Sequence, residues 1–399
     1  MTKRILYVSG SIGLGHIWRD LEIANALRRL RTDVDITWLA ENPALQLLKE
    51  RGEKVLPEAE EMIRTGDAAE ETVNGYELNL VRFSMKWTKI FPKNAQTVLT
   101  AIEREKFDLV VGDENYDLIY TLTVKPELKK FPYVLIYDFV GHRSVTNQPM
   151  ELLGARIINR FWMVSVRNEP KVVDRLLFVG ELEDVADEPF GLFRPNKRQL
   201  CKEHVDFLGY IVPFDPKDYA NKEEVRTELG YGHEPLIVVS IGGTSAGKLL
   251  LDLCSRTYTI LKKEMPDLRM VLVAGPAIDP KTISTSNGIE VKGYVPSLYK
   301  HLAAADLCIS SGGGTTTLEQ LALQKPFIYF PLENYDEQRD VTDRCHRYGA
   351  LNDMVYSKTT PELLAQRIKE NIGKETSYLA VPLGGELKAA KIISDQLGP

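Results

Sequence analysis

Residues 306–332 read DLCISSGGGTTTLEQLALQKPFIYFPL. An aliphatic run (306–310) enters three glycines, a helical pattern follows over 316–324, and a second apolar run begins at 327. Neither run alternates with polar residues, so each is too apolar for a sheet with one wet face and reads as a strand buried on both faces of a parallel sheet. The same rhythm extends upstream through LIVVSIGG (236–243), a helix from about 247, RMVLVAG (269–275) and IEVKGYV (289–295). It also fills the first half: ILYVS (5–9), a helix over DLEIANALRRL (20–30), VDITWLA (34–40), DLVVGD (108–113), YVLIYD (133–138), FWMVSV (161–166) and LLFVG (176–180). Between the halves, around 184–235, Pro189, Pro195, Pro213 and Pro216 interrupt the pattern among charged and turn-forming residues. The expected architecture is α/β, two Rossmann-like domains facing across a cleft, with residues 1–208 as the first, 209–380 as the second, and a helix within 381–399 expected to return to the first.

The chain has 399 residues, enough for two cores, and its 44% hydrophobic and 27% charged residues exclude disorder and fibrous classes. Fifty Lys and Arg against 56 Asp and Glu give a net charge of −6, a poor match to nucleic acid. MTKRILYVSG passes from basic residues straight into a strand, unlike a cleavable signal, so the expected location is cytoplasmic, at most peripheral at the inner face of the membrane. Cys201, Cys254, Cys308 and Cys345 lack metal-ligand spacing and read as unpaired thiols.

Three glycine turns follow apolar strands, the place where open parallel sheets bind ligands. Gly242 to Lys248 has the spacing of a phosphate-binding P-loop, but Leu249 stands where a hydroxyl should hold magnesium. The first turn, GSIGLG (10–15), fails the dinucleotide fingerprint because Trp18 occupies the third glycine position. The third, from Ser310 to Glu319, sets glycines and hydroxyls at a helix start and an acid one to two turns in, with NYDEQ (334–338) after the next strand. N–H groups and hydroxyls can take a diphosphate, a carboxylate can hold a ribose diol, and an acid–amide pair can grip sugar hydroxyls. The plainer reading makes Thr315 and Thr316 caps and Glu319 a solvated helix residue.

Residues 309–338, with VKGYVPSLYKHLAAADL (291–307) and VVSIGGTSAG (238–247), resemble the donor region of GT-B glycosyltransferases, especially the MurG-type N-acetylglucosaminyltransferases (family 28 and family 1 type C-terminal domain). The resemblance is narrower in the first half, at GSIGLGH (10–16) and DLVVGD (108–113). It implies transfer of a hexose or N-acetylhexosamine from a UDP-sugar to an acceptor hydroxyl with inversion, without metal or other cofactor. The implied donor contacts are Gly15, the Val295 backbone at the base, Glu319 at the ribose, Gly243, Thr244, Gly313, Gly314, Thr315 and Thr316 at the diphosphate, and Glu337 and Gln338 at the sugar. The alternatives are a UDP-sugar hydrolase and a non-catalytic nucleotide-sugar-binding subunit.

His16, at the start of a helix after the first glycine turn, is the expected general base, with Asp113 orienting it and Glu114 as the rival for that role. Asp113 also reads as a plain turn-forming aspartate. The loop departs from the family's GHxxP at Arg19 and is similar to a GHxxR version found in a related branch that includes nucleotide-sugar hydrolases. Arg19 is expected on the acceptor side, binding an anion, or else paired with a carboxylate. His142 is an acceptor-side candidate or a solvated loop histidine. VRFSMKWTKIFPK (81–93), with Trp87 at its centre, reads as a core-facing helix with a basic solvated side, or as a contact for a lipid-linked acceptor or a membrane surface. The acceptor itself, lipid-linked or small, is not legible.

Overall fold

The computed structural model describes residues 2–10, 14–64, 73–74, 77–78, 80–144, 148–243 and 247–398, with backbone only for 73–74, 77–78, 80–89 and 150. The chain divides into two compact units: residues 1–72, 79–213 and 382–399 form one, and residues 73–78 and 214–381 the other.

In chain order the strands are β1 (Lys3–Val8), β2 (Val34–Leu39), the short pair β3 (Val73–Asn74) and β4 (Glu77–Leu78), β5 (Leu109–Asp113), β6 (Tyr133–Tyr137), β7 (Arg175–Val179) and β8 (Asp206–Gly209). Six of them make a sheet in the order β2-β1-β5-β6-β7-β8, parallel throughout. Alternate residues of one strand enter different cores: Leu6 and Val8 join Val110, Leu135 and Phe178 on one face, while Ile5 and Tyr7 join Leu109, Val111, Val134 and Ile136 on the other. That division by the two-residue period is why these strands read as uninterrupted apolar runs. The second face is covered partly by the helix Gly385–Leu397, whose Ala389, Ala390, Ile393 and Leu397 are buried with Leu21 and Ala24. Gly385 makes this approach possible, since a Cβ there would lie 2.9 Å from Ile211 Cγ1.

Two sequence expectations are corrected. FWMVSV is not a strand but the end of a helix, Pro149–Arg167. Trp162 and Val166, four residues apart, are buried on one helix face, and the run ends where Asn168 turns left-handed at φ 54°. A six-residue apolar run is ambiguous alone; the amphipathic span of 19 residues decides it. The break around 184–235 hides a strand, β8, so the first unit extends past the expected limit of 208 to Pro213.

The second unit holds β9 (Leu236–Ser240), β10 (Arg269–Val273), β11 (Ile289–Lys292), β12 (Leu307–Ser310) and β13 (Phe327–Tyr329), ordered β11-β10-β9-β12-β13 and parallel. In each sheet the chain winds outward in two directions from a central pair, β1 with β5 in the first and β9 with β12 in the second. The carboxyl ends of such a pair leave a crevice between loops that run apart, the usual ligand position in open α/β sheets.

Candidate active site

At the β1/β5 switch point, His16, Arg19, Asp113, Glu114 and Asp138 converge. His16, Arg19 and Asp20 fall at i, i+3 and i+4 on the helix Gly15–Leu30, so they share one face. Gly10 lets the turn after β1 pass close by, since a Cβ there would sit 2.9 Å from the Asp113 carbonyl oxygen and 3.3 Å from His16 Nδ1. Asp113 ends β5, Asp138 follows β6, and Glu114 adopts φ 46°, a conformation a non-glycine residue holds only where its surroundings enforce it.

Arg19 is the hub. Its Nε donates to Asp113 Oδ2 at 2.8 Å and one Nη to Oδ1 at 2.5 Å, its other Nη donates to Asp138, and an Nη lies 2.7 Å from His16 Nδ1. His16 Nδ1 is also 3.3 Å from Asp113 Oδ2, and its Nε2 is 3.7 Å from Glu114 Oε2. Both acids weighed for His16 therefore reach it, from opposite ring nitrogens.

Burial works against ionising Asp113, but the Arg19 guanidinium outweighs it and holds the carboxyl at about 2. Asp138 is lowered likewise, burial being overcome by Arg19. Glu114 moves the other way: burial and the neighbouring Asp138 charge push it well above the carboxylate range. Asp20, 0% exposed, is pushed well up by burial and by Asp113, and accepts from Tyr7 Oη at 2.9 Å and Ser9 Oγ at 2.5 Å. One cluster thus draws two carboxyls down and drives two up, a divergence that acid–base sites also show.

His16, Glu114 and Asp138 bring one possible ligand atom each within 4.8 Å of one another, the sole such grouping among the described residues. Within this group Asp138 is already paired with Arg19.

In the second unit the glycine turns after β9 and β12 lie side by side, tied by Ser311 Oγ donating to the Ile241 carbonyl at 3.0 Å. Gly312, at φ 72°, leaves no room for a side chain, since a Cβ would meet Pro331 at 2.9 Å. Gly313 caps and Gly314 opens the helix Gly314–Ala322, with Thr315 and Thr316 in its first turn, so unpaired helix N–H groups and two hydroxyls gather above β12. Arg344, which the sequence reading passed over, donates to the Gly314 carbonyl at 2.7 Å and braces that turn. Glu319 is 7% exposed, has no side-chain partner among the described residues, and burial pushes it up to about 8.

The other expected positions are mixed. Gly15 is the first residue of its helix, Gly243 lies in the turn after β9, and Val295 follows β11. Thr244 and the side chain of Trp87 lie outside the described residues. Gln338 accepts from the Leu332 N–H, and Glu337 from the Tyr335 hydroxyl. His142 is not a solvated loop residue: its backbone N–H and C=O both bond the Asn159 amide at 2.7 Å, and burial with the Lys197 charge lowers its ring to about 3. Arg19, read from the sequence as an acceptor-side residue or as the partner of a carboxylate, is 9% exposed and donates to Asp113 and Asp138. Asp138 and Asp20 were missed as site residues; the i, i+4 spacing from His16 was the one available signal for Asp20.

Residues 237–396 match the model of the glycosyltransferase family 28 C-terminal domain. A protein of Methanosarcina acetivorans described as an uncharacterized glycosyltransferase is 22% identical, over 98% of this chain and 96% of its own length. The Clostridioides difficile UDP-N-acetylglucosamine–N-acetylmuramyl-(pentapeptide) pyrophosphoryl-undecaprenol N-acetylglucosamine transferase is 20% identical, over 93% of this chain and 81% of its own. Among solved structures, the glycotransferase of kitacinnamycin superposes with a TM-score of 0.62 at 15% identity, covering 99% of both chains. With two parallel-sheet units of this topology, a matching C-terminal domain and full-length relatives of this kind, the chain has the GT-B fold and is similar to MurG-like glycosyltransferases.

Proposed function

We propose that the protein transfers a hexose or N-acetylhexosamine residue from a UDP-sugar to an acceptor hydroxyl with inversion. Glu319 carries the donor half of the reading: a carboxyl buried in the second turn of its helix and left without a side-chain partner among the described residues is costly unless a ligand uses it, and a ribose diol offers two donors. The base falls to the Val295 backbone, the diphosphate to Gly243, Thr244 and Gly313 to Thr316, and the sugar to Glu337 and Gln338, with Gly15 as a further donor contact. The acceptor oxygen bonds to the anomeric carbon as the bond to the diphosphate breaks; the hydroxyl proton goes to His16, and UDP leaves with the bond's electrons. Helix N–H groups and loop hydroxyls stabilise the departing diphosphate, so the scheme needs no metal.

The test is a nucleotide-sugar screen by thermal shift, since a ligand at a hundredfold excess over its Kd adds about 2.7 kcal/mol of apparent stability. The best donor, labelled in the sugar, is then incubated alone and with lipid or small-molecule extracts. Label passing to an extract component supports transfer. Rapid release of free sugar, unchanged by extracts, makes water the nucleophile and the protein a hydrolase. No stabilisation by any uridine nucleotide removes the donor assignment.

Among the described residues no helix is long and apolar enough to cross a membrane, and we place the protein at the inner membrane surface by peripheral contact. The helix Pro149–Arg167 supports this: Leu152, Leu153 and Ile157 are exposed alongside Arg156 and Arg160. Next to it, joined by the 3.2 Å bond from Arg194 to the Arg156 carbonyl, Phe193 stands 98% exposed at φ 60°. A basic, apolar face on an acidic chain fits an anionic bilayer. Cosedimentation should show binding to phosphatidylglycerol vesicles, little to phosphatidylcholine, and roughly tenfold or greater loss for Arg156→Glu with Arg160→Glu, at about 1 kcal/mol per arginine. Phe193→Gly should weaken binding while relieving the left-handed backbone, so its melting temperature should not fall. Equal binding to both vesicles, or none, would refute the assignment.

A further inference from the structure

We infer that Arg19 is a positioning residue that sets the tautomer of His16, holding the resting ring with its proton on Nε2, so that the base-competent tautomer forms when Arg19 gives up Nδ1 to Asp113.

A guanidinium nitrogen has only hydrogens to offer, so the 2.7 Å contact between Arg19 and His16 Nδ1 requires a lone pair on Nδ1. The neutral ring then carries its proton on Nε2, facing Glu114. A ring in that state cannot accept a proton at Nε2. Base catalysis from Nε2 needs the proton on Nδ1, where a carboxylate must receive it. Asp113 stands ready at 3.3 Å and stays ionised, but the short position at Nδ1 belongs to Arg19. The two partners cannot both use Nδ1 at once, because one donates to it and the other must accept from it. Arg19 is held in this competing position from two further sides, by both Asp113 oxygens and by Asp138. With a non-donor at position 19, as in the GHxxP form, the contact is absent and Nδ1 is left to the carboxylate. The consequence for catalysis rests on the transferase reading; the tautomer itself does not.

The experiment is long-range nitrogen–proton correlation NMR of selectively labelled ligand-free enzyme, which distinguishes Nδ1–H from Nε2–H. The wild type should show His16 as Nε2–H. Arg19→Met, which keeps the stem but removes every donor, should show Nδ1–H. If that variant does not fold, Arg19→Lys serves, since one ammonium drawn to Asp113 leaves Nδ1 and should give the same switch. An Nδ1–H wild type, or a variant still in the Nε2–H form, overturns the inference and leaves the transferase reading standing. Nε2–H in the wild type with the switch in the variant supports it; if His16→Ala then keeps full turnover, the base assignment fails while the tautomer result holds.

Discussion

His16→Ala is expected to lower turnover by roughly 10²–10⁴-fold, the usual contribution of a positioned general base, while leaving UDP-sugar affinity nearly unchanged. The separation follows from where the groups sit: His16 belongs to the first unit's cluster at the ends of β1, β5 and β6, whereas the residues proposed for the base, ribose and diphosphate, Val295, Glu319 and Gly313 to Thr316, belong to the second unit. Steady-state kinetics with the identified donor, beside calorimetry of UDP binding, checks both halves. Wild-type kcat in the variant would make His16 structural and move the base to Asp113 or Glu114. Asp113 is the weaker replacement, because a carboxyl held at about 2 is a poor proton acceptor near neutral pH.

Glu319→Ala should weaken UDP by roughly ten- to a hundredfold, since hydrogen bonds to a charged group contribute about 1.5–3 kcal/mol and each 1.4 kcal/mol is a factor of ten. Uracil, which has no ribose, should bind the variant as it binds the wild type. A pH signature accompanies the loss. In the free protein burial pushes Glu319 up to about 8, so at pH 7 the carboxyl keeps its proton; gripping a ribose diol as a carboxylate requires that proton to leave. UDP affinity should therefore rise with pH up to about 8 and then level, with proton release seen by calorimetry in buffers of different ionisation enthalpy. Stability runs the opposite way: the folded state retains a proton that the unfolded chain loses near the ordinary value of 4.5, so stability falls as pH rises from there to about 8. Glu319→Gln should lack both trends. Equal UDP affinity in wild type and Glu319→Ala would remove the ribose assignment.

The sequence by itself determined the strand rhythm, the two-sheet architecture and the three glycine turns. Strands buried on both faces are apolar at most positions, and a backbone crowded against a neighbour, as at Gly312 against Pro331, admits only glycine. It also singled out His16 after the first glycine turn, where open parallel sheets bind ligands, while the roles proposed for Asp113 and Glu319 come from the resemblance to GT-B glycosyltransferases. Tertiary structure alone decided the rest. FWMVSV is compatible with strand or helix until its partners are known, and burial of Trp162 and Val166 on one side made it helix. The roles of the carboxyls were equally hidden: Asp113 and Glu114 are neighbours in sequence, yet one is drawn down by Arg19 and the other driven up by burial and Asp138. Ionisation is set by burial and by charges brought from distant positions, Arg19 from the first helix and Asp138 from the end of β6, and such proximity exists only once the sheet has placed its strands side by side.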